Sequence, residues 1–152
     1  MSHKVLLVED NHDDIELAKL ALRLSQVKID LDIVMSGEEA LAYLQTEISK
    51  TRPELVLLDV KLPKISGLDV LRNMRASQVT REIPVMMLTT SDQPDDLQQA
   101  FQCGTNAYMC KPALFESLVI FFNQIAKSLA AGSFNAHHIT GARLTYPELP
   151  AQ

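Results

Sequence analysis

Three short runs of uninterrupted apolar residues punctuate the chain, at 5–8 (Val-Leu-Leu-Val), 55–58 (Leu-Val-Leu-Leu) and 85–88 (Val-Met-Met-Leu). Each is followed by a longer stretch whose apolar positions recur at three- and four-residue spacing. Continuous apolar runs of this length fit strands covered on both faces, and their alternation with helical periods predicts a parallel sheet wrapped by helices. These three strands are predicted to be central. Ile29-Asp30-Leu31-Asp32-Ile33 alternates apolar and acidic residues, which predicts an edge strand with one face partly in water. A fifth, shorter strand is predicted around 106–110.

Capping chemistry marks where several helices begin. Asp13 and Asp14 fall in the first turn after strand one, where acids favour the positive helix end. Ser36 with Glu39 and Ser66 with Asp69 fit capping boxes, and Pro94 with Asp95 and Asp96 suits the start of a fourth helix. In the last helix Leu114, Leu118, Phe121, Ile125 and Leu129 form one apolar stripe that should pack on the sheet. The fold class expected is α/β, a doubly wound five-stranded parallel sheet flanked by five helices. After Ala130 the sustained period stops, so residues 1–130 are expected to form one domain and 131–152 a C-terminal tail without its own fold. Phe134, Ile139, Leu144 and Tyr146 in that tail could fold back or pack on a second copy.

Composition narrows the function classes. With 152 residues, 47% of them hydrophobic and 22% charged, the chain is ordinary for one globular domain. No apolar run approaches the roughly 20 residues that cross a bilayer, and no secretory leader pattern opens the chain. A soluble cytoplasmic protein without a membrane partner is expected. Net charge of −5 without a Lys/Arg cluster argues against nucleic acid as a direct partner. Cys103 and Cys110 lack metal-ligand spacing and are expected to be small buried apolar residues.

In a right-handed parallel sheet the carboxyl ends of all strands share one rim, and the crevice there is where ligands bind. Strand one ends in Glu9-Asp10, strand three in Asp59, strand four in Thr89-Thr90 and strand five in Lys111-Pro112. Three carboxylates gathered in one place repel one another unless a cation offsets them. Hard oxygen ligands with no His or Cys beside them select Mg²⁺, which takes one or two protein carboxylates together with phosphate oxygens. Lys111 would then neutralise phosphoryl oxygens, and the Thr89 hydroxyl would donate to one of them. A carboxylate beside such an ion can attack phosphorus and form an aspartyl phosphate; Asp59, ending the central strand, is the natural nucleophile.

The segments Val8-Glu9-Asp10-Asn11, Leu57-Leu58-Asp59-Val60-Lys61-Leu62-Pro63 with Gly67, Leu88-Thr89-Thr90-Ser91, and Ala107-Tyr108-Met109-Cys110-Lys111-Pro112 closely resemble CheY-like receiver domains of two-component signalling. The likeness runs from about Lys4 to Ala130. It implies a flavodoxin-like three-layer fold with strand order 2-1-3-4-5 and a phosphoacceptor at Asp59. It also implies a Mg²⁺ site made by Asp10, Asp59 and the backbone carbonyl of Lys61, with Glu9 helping through water. Thr89 and Tyr108 would couple phosphorylation to the face formed by the fourth helix, fifth strand and fifth helix. The partners implied are a histidine kinase or phosphotransfer protein upstream, a protein target downstream and a possible homodimer. Catalysis would be limited to self-phosphotransfer and autodephosphorylation. The Leu88–Ser91 segment and short tail resemble small regulators that accompany phytochrome-type or hybrid kinases, and the chain is expected to work without an attached output domain.

Blander readings compete at single residues. Glu9-Asp10 could be a solvated turn, Lys111 a surface lysine, and Tyr108 a half-buried edge-strand tyrosine. Met86, Met87 and Met109 are expected to fill the core, His3 and His12 to be exposed, and His137-His138 to be a solvated pair rather than a metal site. Lys61 and Ser91 border the pocket, where they could set the phosphoryl lifetime. Three rival functions are weaker. An aspartate-nucleophile phosphatase or dehalogenase usually has a second acid two residues on, where Lys61 stands. A flavin module would want a phosphate cradle where Glu9 and Asp10 stand. A pseudo-receiver would not need every reactive residue to be present.

Overall fold

The structure, a computed structural model, describes residues 2–46, 52–90, 94–112 and 114–144. Strands β1 (His3–Val8), β2 (Ile29–Val34), β3 (Leu55–Asp59), β4 (Val85–Thr89) and β5 (Ala107–Cys110) alternate with helices α1 (His12–Ser25), α2 (Gly37–Thr46), α3 (Gly67–Ala76), α4 (Pro94–Gln102) and α5 (Phe115–Ala130). The sheet order is β2-β1-β3-β4-β5. Every neighbouring pair is parallel. Fold class and strand order therefore match the expectation, with the alternating β2 at one edge.

Because strand side chains point alternately to opposite faces, the apolar runs feed two cores at once. Leu6, Val8, Val56 and Leu58 pack with Leu44, Leu71, Met74 and Leu97 on the side of α2, α3 and α4. Val5, Leu7, Leu55 and Leu57 pack with Ala18, Phe122 and Ile125 on the side of α1 and α5. Met86 and Met87 are fully buried, one on each side, as core filling.

The Ser66–Asp69 capping box is complete: Ser66 Oγ accepts from the Asp69 N–H and the Asp69 carboxylate from the Ser66 N–H. At α2 the arrangement differs from the expected box. Ser36 Oγ accepts from the Glu39 N–H, but Glu39 takes its return bond from the N–H of Met35, one residue earlier. Leu114 is a second departure, 65% exposed. It sits at the N-cap of α5 in extended backbone, ahead of the helix, so it does not join the buried stripe. Neither cysteine is fully buried, since Cys103 is half-buried and Cys110, at the end of β5, is exposed. His3 is also half-buried, its Nδ1 lying 2.9 Å from a Glu54 carboxylate oxygen.

Residues 131–144 turn back across α5 to the outer edge of β5. The Asn135 N–H donates to Ser128 Oγ at 2.6 Å, and the Thr140 N–H donates to Gln124 Oε1 at 2.8 Å. Arg143 and Tyr108 exchange backbone hydrogen bonds of 2.7 and 2.9 Å, an isolated antiparallel bridge on the edge strand. Ala136 and Ile139 are buried in the α1–α5 core, with Phe134 and Leu144 partly buried against it. Tyr146 lies outside the described residues.

Candidate functional site

The carboxyl edge of the sheet brings together the predicted residues Glu9, Asp10, Asp59, Thr89 and Lys111. Asp59 ends β3, wholly buried along its length, and is itself 6% exposed. The loop that follows fits closely under it. Gly67 donates its N–H to the Val60 carbonyl at 2.9 Å. A Cβ on Gly67 would lie 2.0 Å from the Asp59 carbonyl oxygen, so only glycine permits α3 to start here. Asp59 Oδ1 accepts from the Lys61 N–H at 3.1 Å, and Oδ2 lies 3.0 Å from Lys111 Nζ. Both carboxylate oxygens are thereby oriented.

Glu9, Asp10 and Asp59 each present an oxygen within 4.8 Å of the others. Glu9 is buried, its carboxylate 2.5 Å from Lys111 Nζ and accepting the Asn11 N–H at 3.1 Å. Asp10 is exposed. Removal from water pushes the Glu9 carboxyl above its usual range, outweighing the pull of Lys111 and the Asn11 N–H in the other direction. Burial alone would lower the Lys111 ammonium, but hydrogen bonds to Glu9 and Asp59 with their charges raise it well above its usual value. Lys111 is therefore a fixed positive charge, and its backbone N–H donates to the Thr89 carbonyl at 2.8 Å, which ties β5 to the end of β4. An all-carboxylate trio with no His or Cys suits a hard divalent cation.

A model of the response regulator receiver domain matches residues 5–122. The chain belongs to the response-regulator receiver family. Its relatives include the response regulator Rcp1 of Synechocystis sp., 36% identical over 70% of this chain and 75% of that protein. Another is the probable methanogenesis regulatory protein FilR2 of Methanothrix harundinacea, 39% identical over 75% of each chain. Among solved structures, the phosphorylated cyanobacterial phytochrome response regulator RcpA superposes with a TM-score of 0.78 at 34% identity, covering 88% of this chain and 98% of that one. The Mn²⁺-bound form of Rcp1 covers 98% of this chain and 99% of its own, with a TM-score of 0.72 at 31% identity.

The protein is thus a receiver domain of two-component signalling, a family that takes phosphoryl groups from histidine kinases and responds by phosphorylation-driven signalling. No described helix is long and apolar enough to cross a membrane.

In this receiver two of the predicted residues are wholly buried, and one acid at the rim was not among them. Tyr108 is 1% exposed rather than the half-buried edge-strand tyrosine of the blander reading, because its ring packs into the α2–α3–α4 core and Arg143 meets its backbone. Thr89, at the end of β4, is fully buried. Asp14 was anticipated only as a helix-start acid, yet its Oδ2 lies 3.3 Å from Lys111 Nζ, making it a fourth carboxylate at the rim. The signal was present in the spacing: Asn11 caps α1 by accepting the Asp14 N–H, and a side chain in the first turn leans back over the preceding loop. Lys61 is exposed beside the pocket, and Ser91 lies outside the described residues. His12 and the His137-His138 pair are exposed, and Met109 is partly buried.

Proposed function

We propose that Asp59 is the phosphoacceptor, with Lys111 and Thr89 as its chemical partners. The observation that carries this reading is the placement of one nearly buried carboxylate, held by the Lys61 N–H and by Lys111, within reach of Glu9 and Asp10. An Asp59 oxygen attacks phosphorus, the phosphorus–nitrogen bond of a phosphohistidine breaks, and its electron pair returns to the imidazole ring. Lys111 offsets charge on the phosphoryl oxygens as they arrive. Asp10, Asp59 and the Lys61 carbonyl would hold Mg²⁺, with Glu9 acting through water. Bound there, Mg²⁺ supplies positive charge that stabilises the phosphoryl oxygens during transfer.

The downstream half of the reading concerns Thr89 and Tyr108. A phosphoryl group on Asp59 draws the Thr89 hydroxyl towards it, and the repacking reaches the α4–β5–α5 face through Tyr108. A protein target then reads the face by binding its two forms with different affinity. Residues 1–130 carry this function, in the cytoplasm, and 131–152 form an appended segment. A modest tendency to form homodimers is part of the same reading, although Ala136 and Ile139 of that segment are buried in the chain's own core and do not contribute to it. Sedimentation with and without beryllofluoride tests it, and a strictly monomeric profile in both would contradict it.

Exposure to acetyl phosphate and MgCl₂, followed by intact mass, tests the core of the proposal. The natural protein should gain one phosphoryl group and Asp59→Asn none. Equal gain by the variant would remove Asp59 from the chemistry.

A further inference from the structure

Lys111 has three carboxylate partners, and they are of two kinds. Glu9 and Asp59 belong to the trio whose oxygens lie within 4.8 Å of one another. Asp14 does not, yet its Oδ2 is 3.3 Å from the same ammonium. It approaches from the first turn of α1, while Glu9 and Asp59 approach from strand ends.

The two closest partners of the lysine, at 2.5 and 3.0 Å, are also members of the group suited to a divalent cation. A cation there competes for the oxygens that hold the ammonium and repels it as well. Lys111 then needs an anion outside the cation's set, or it swings into solvent. Asp14 is that anion, and there is room for the shift. Glu9, Asp14 and Lys111 line a cavity of about 200 Å³ together with Leu57, Leu88 and Phe121.

We propose that Asp14 is a positioning residue for phosphoryl transfer, keeping the Lys111 ammonium at the rim when a divalent cation held by Asp10 and Asp59, with Glu9 through water, competes for the lysine's other partners. This rests on Asp59 being the phosphoacceptor. In the transfer the bond from Asp59 oxygen to phosphorus forms as the donor's bond to phosphorus breaks, the donor leaving with the electron pair. Asp14 touches none of these atoms. It acts only by holding Lys111 where the phosphoryl oxygens come to lie.

The test is the initial rate of phosphoryl uptake from acetyl phosphate at saturating MgCl₂, with Asp59→Asn as the blank. Asp14→Asn keeps the side-chain size, and the Asn11 cap uses only the backbone N–H of residue 14. It should slow uptake about tenfold, the order of losing one charged hydrogen bond. Mg²⁺ affinity measured by calorimetry should shift by less than about threefold, because Asp14 lies outside the trio. Asp14→Glu should recover most of the rate, and in a Lys111→Ala background Asp14→Asn should change the residual rate by less than about twofold. A rate for Asp14→Asn equal to that of the natural protein overturns the inference and leaves the Asp59 reading intact. So does an undiminished slowing in the Lys111→Ala background, which would mark a helix-start role, or failure of Asp14→Glu to recover. If the natural protein itself takes up no phosphoryl group, both readings fall together.

Discussion

The sheet of this receiver ends in two different ways. Along its carboxyl edge, strand ends deliver three carboxylates and one ammonium and α1 adds a fourth carboxylate, a concentration of charge that neither core needs. Along the outer edge of β5, residues 131–144 close the sheet with a backbone bridge, two buried apolar side chains and polar pairs to α5. The first edge is organised for chemistry at a cost in mutual repulsion among its acids. The second covers an exposed strand edge, which would otherwise invite pairing with another chain. Function and stability are thus placed on separate borders of one sheet, and substitutions should separate them.

Gly67→Ala is expected to break that separation. A methyl group 2.0 Å from the Asp59 carbonyl oxygen forces the β3–α3 loop away from the site. The cost should be on the order of 3 kcal/mol, seen as a lower denaturant midpoint, together with loss of phosphoryl uptake. Retained stability with full uptake would mean the loop is free to shift. Ile139→Ala should sharpen the contrast instead. Ile139 is 4% exposed in the α1–α5 core, so its truncation should cost about 2 kcal/mol while uptake at saturating Mg²⁺ stays near that of the natural protein. Ser128→Ala should act in the same direction with a smaller effect. Its fully buried hydroxyl accepts the Asn135 N–H and donates to the Asn135 carbonyl, so about 1 kcal/mol of stability is at stake.

These contrasts follow what was legible in the sequence. The carboxyl edge could be read because strand ends obey topology: once 5–8, 55–58 and 85–88 are recognised as buried parallel strands, the residues after them must share a rim. Glu9, Asp10, Asp59 and Lys111 followed from that alone. Asp14 did not, because it reaches the rim from a helix, through the backward lean of a first-turn side chain rather than from a strand end. Apolar residues in the tail allowed for folding back, but where it would dock on β5 was illegible for another reason. Its bonds run between backbone groups and single side chains, Ser128 with Asn135 and Gln124 with Thr140, which leave no periodic trace. The burial of Tyr108 shares this cause, since Arg143 meets its backbone only after the chain reverses. Leu114 shows the opposite error, a residue in phase with the helical stripe that lies ahead of the first turn.

The smallest effect expected is a pH dependence confined to the carboxyl edge. Burial raises the Glu9 carboxyl in the folded protein, so this group favours the folded state below the ordinary glutamate range. That contribution is lost as pH rises through the raised value. Without divalent cations, stability should therefore fall over that interval, and Glu9→Gln should flatten the slope. Thermal melts at several pH values in chelator would show it; an unchanged slope in Glu9→Gln would place the titration elsewhere.

The role of Asp59 is decided most directly by where the phosphoryl group comes to rest. After brief exposure to acetyl phosphate with MgCl₂, borohydride reduction converts an aspartyl phosphate to homoserine, which peptide mass mapping locates. Homoserine at position 59 alone is predicted; homoserine at position 10 or 14, or at none, would contradict it.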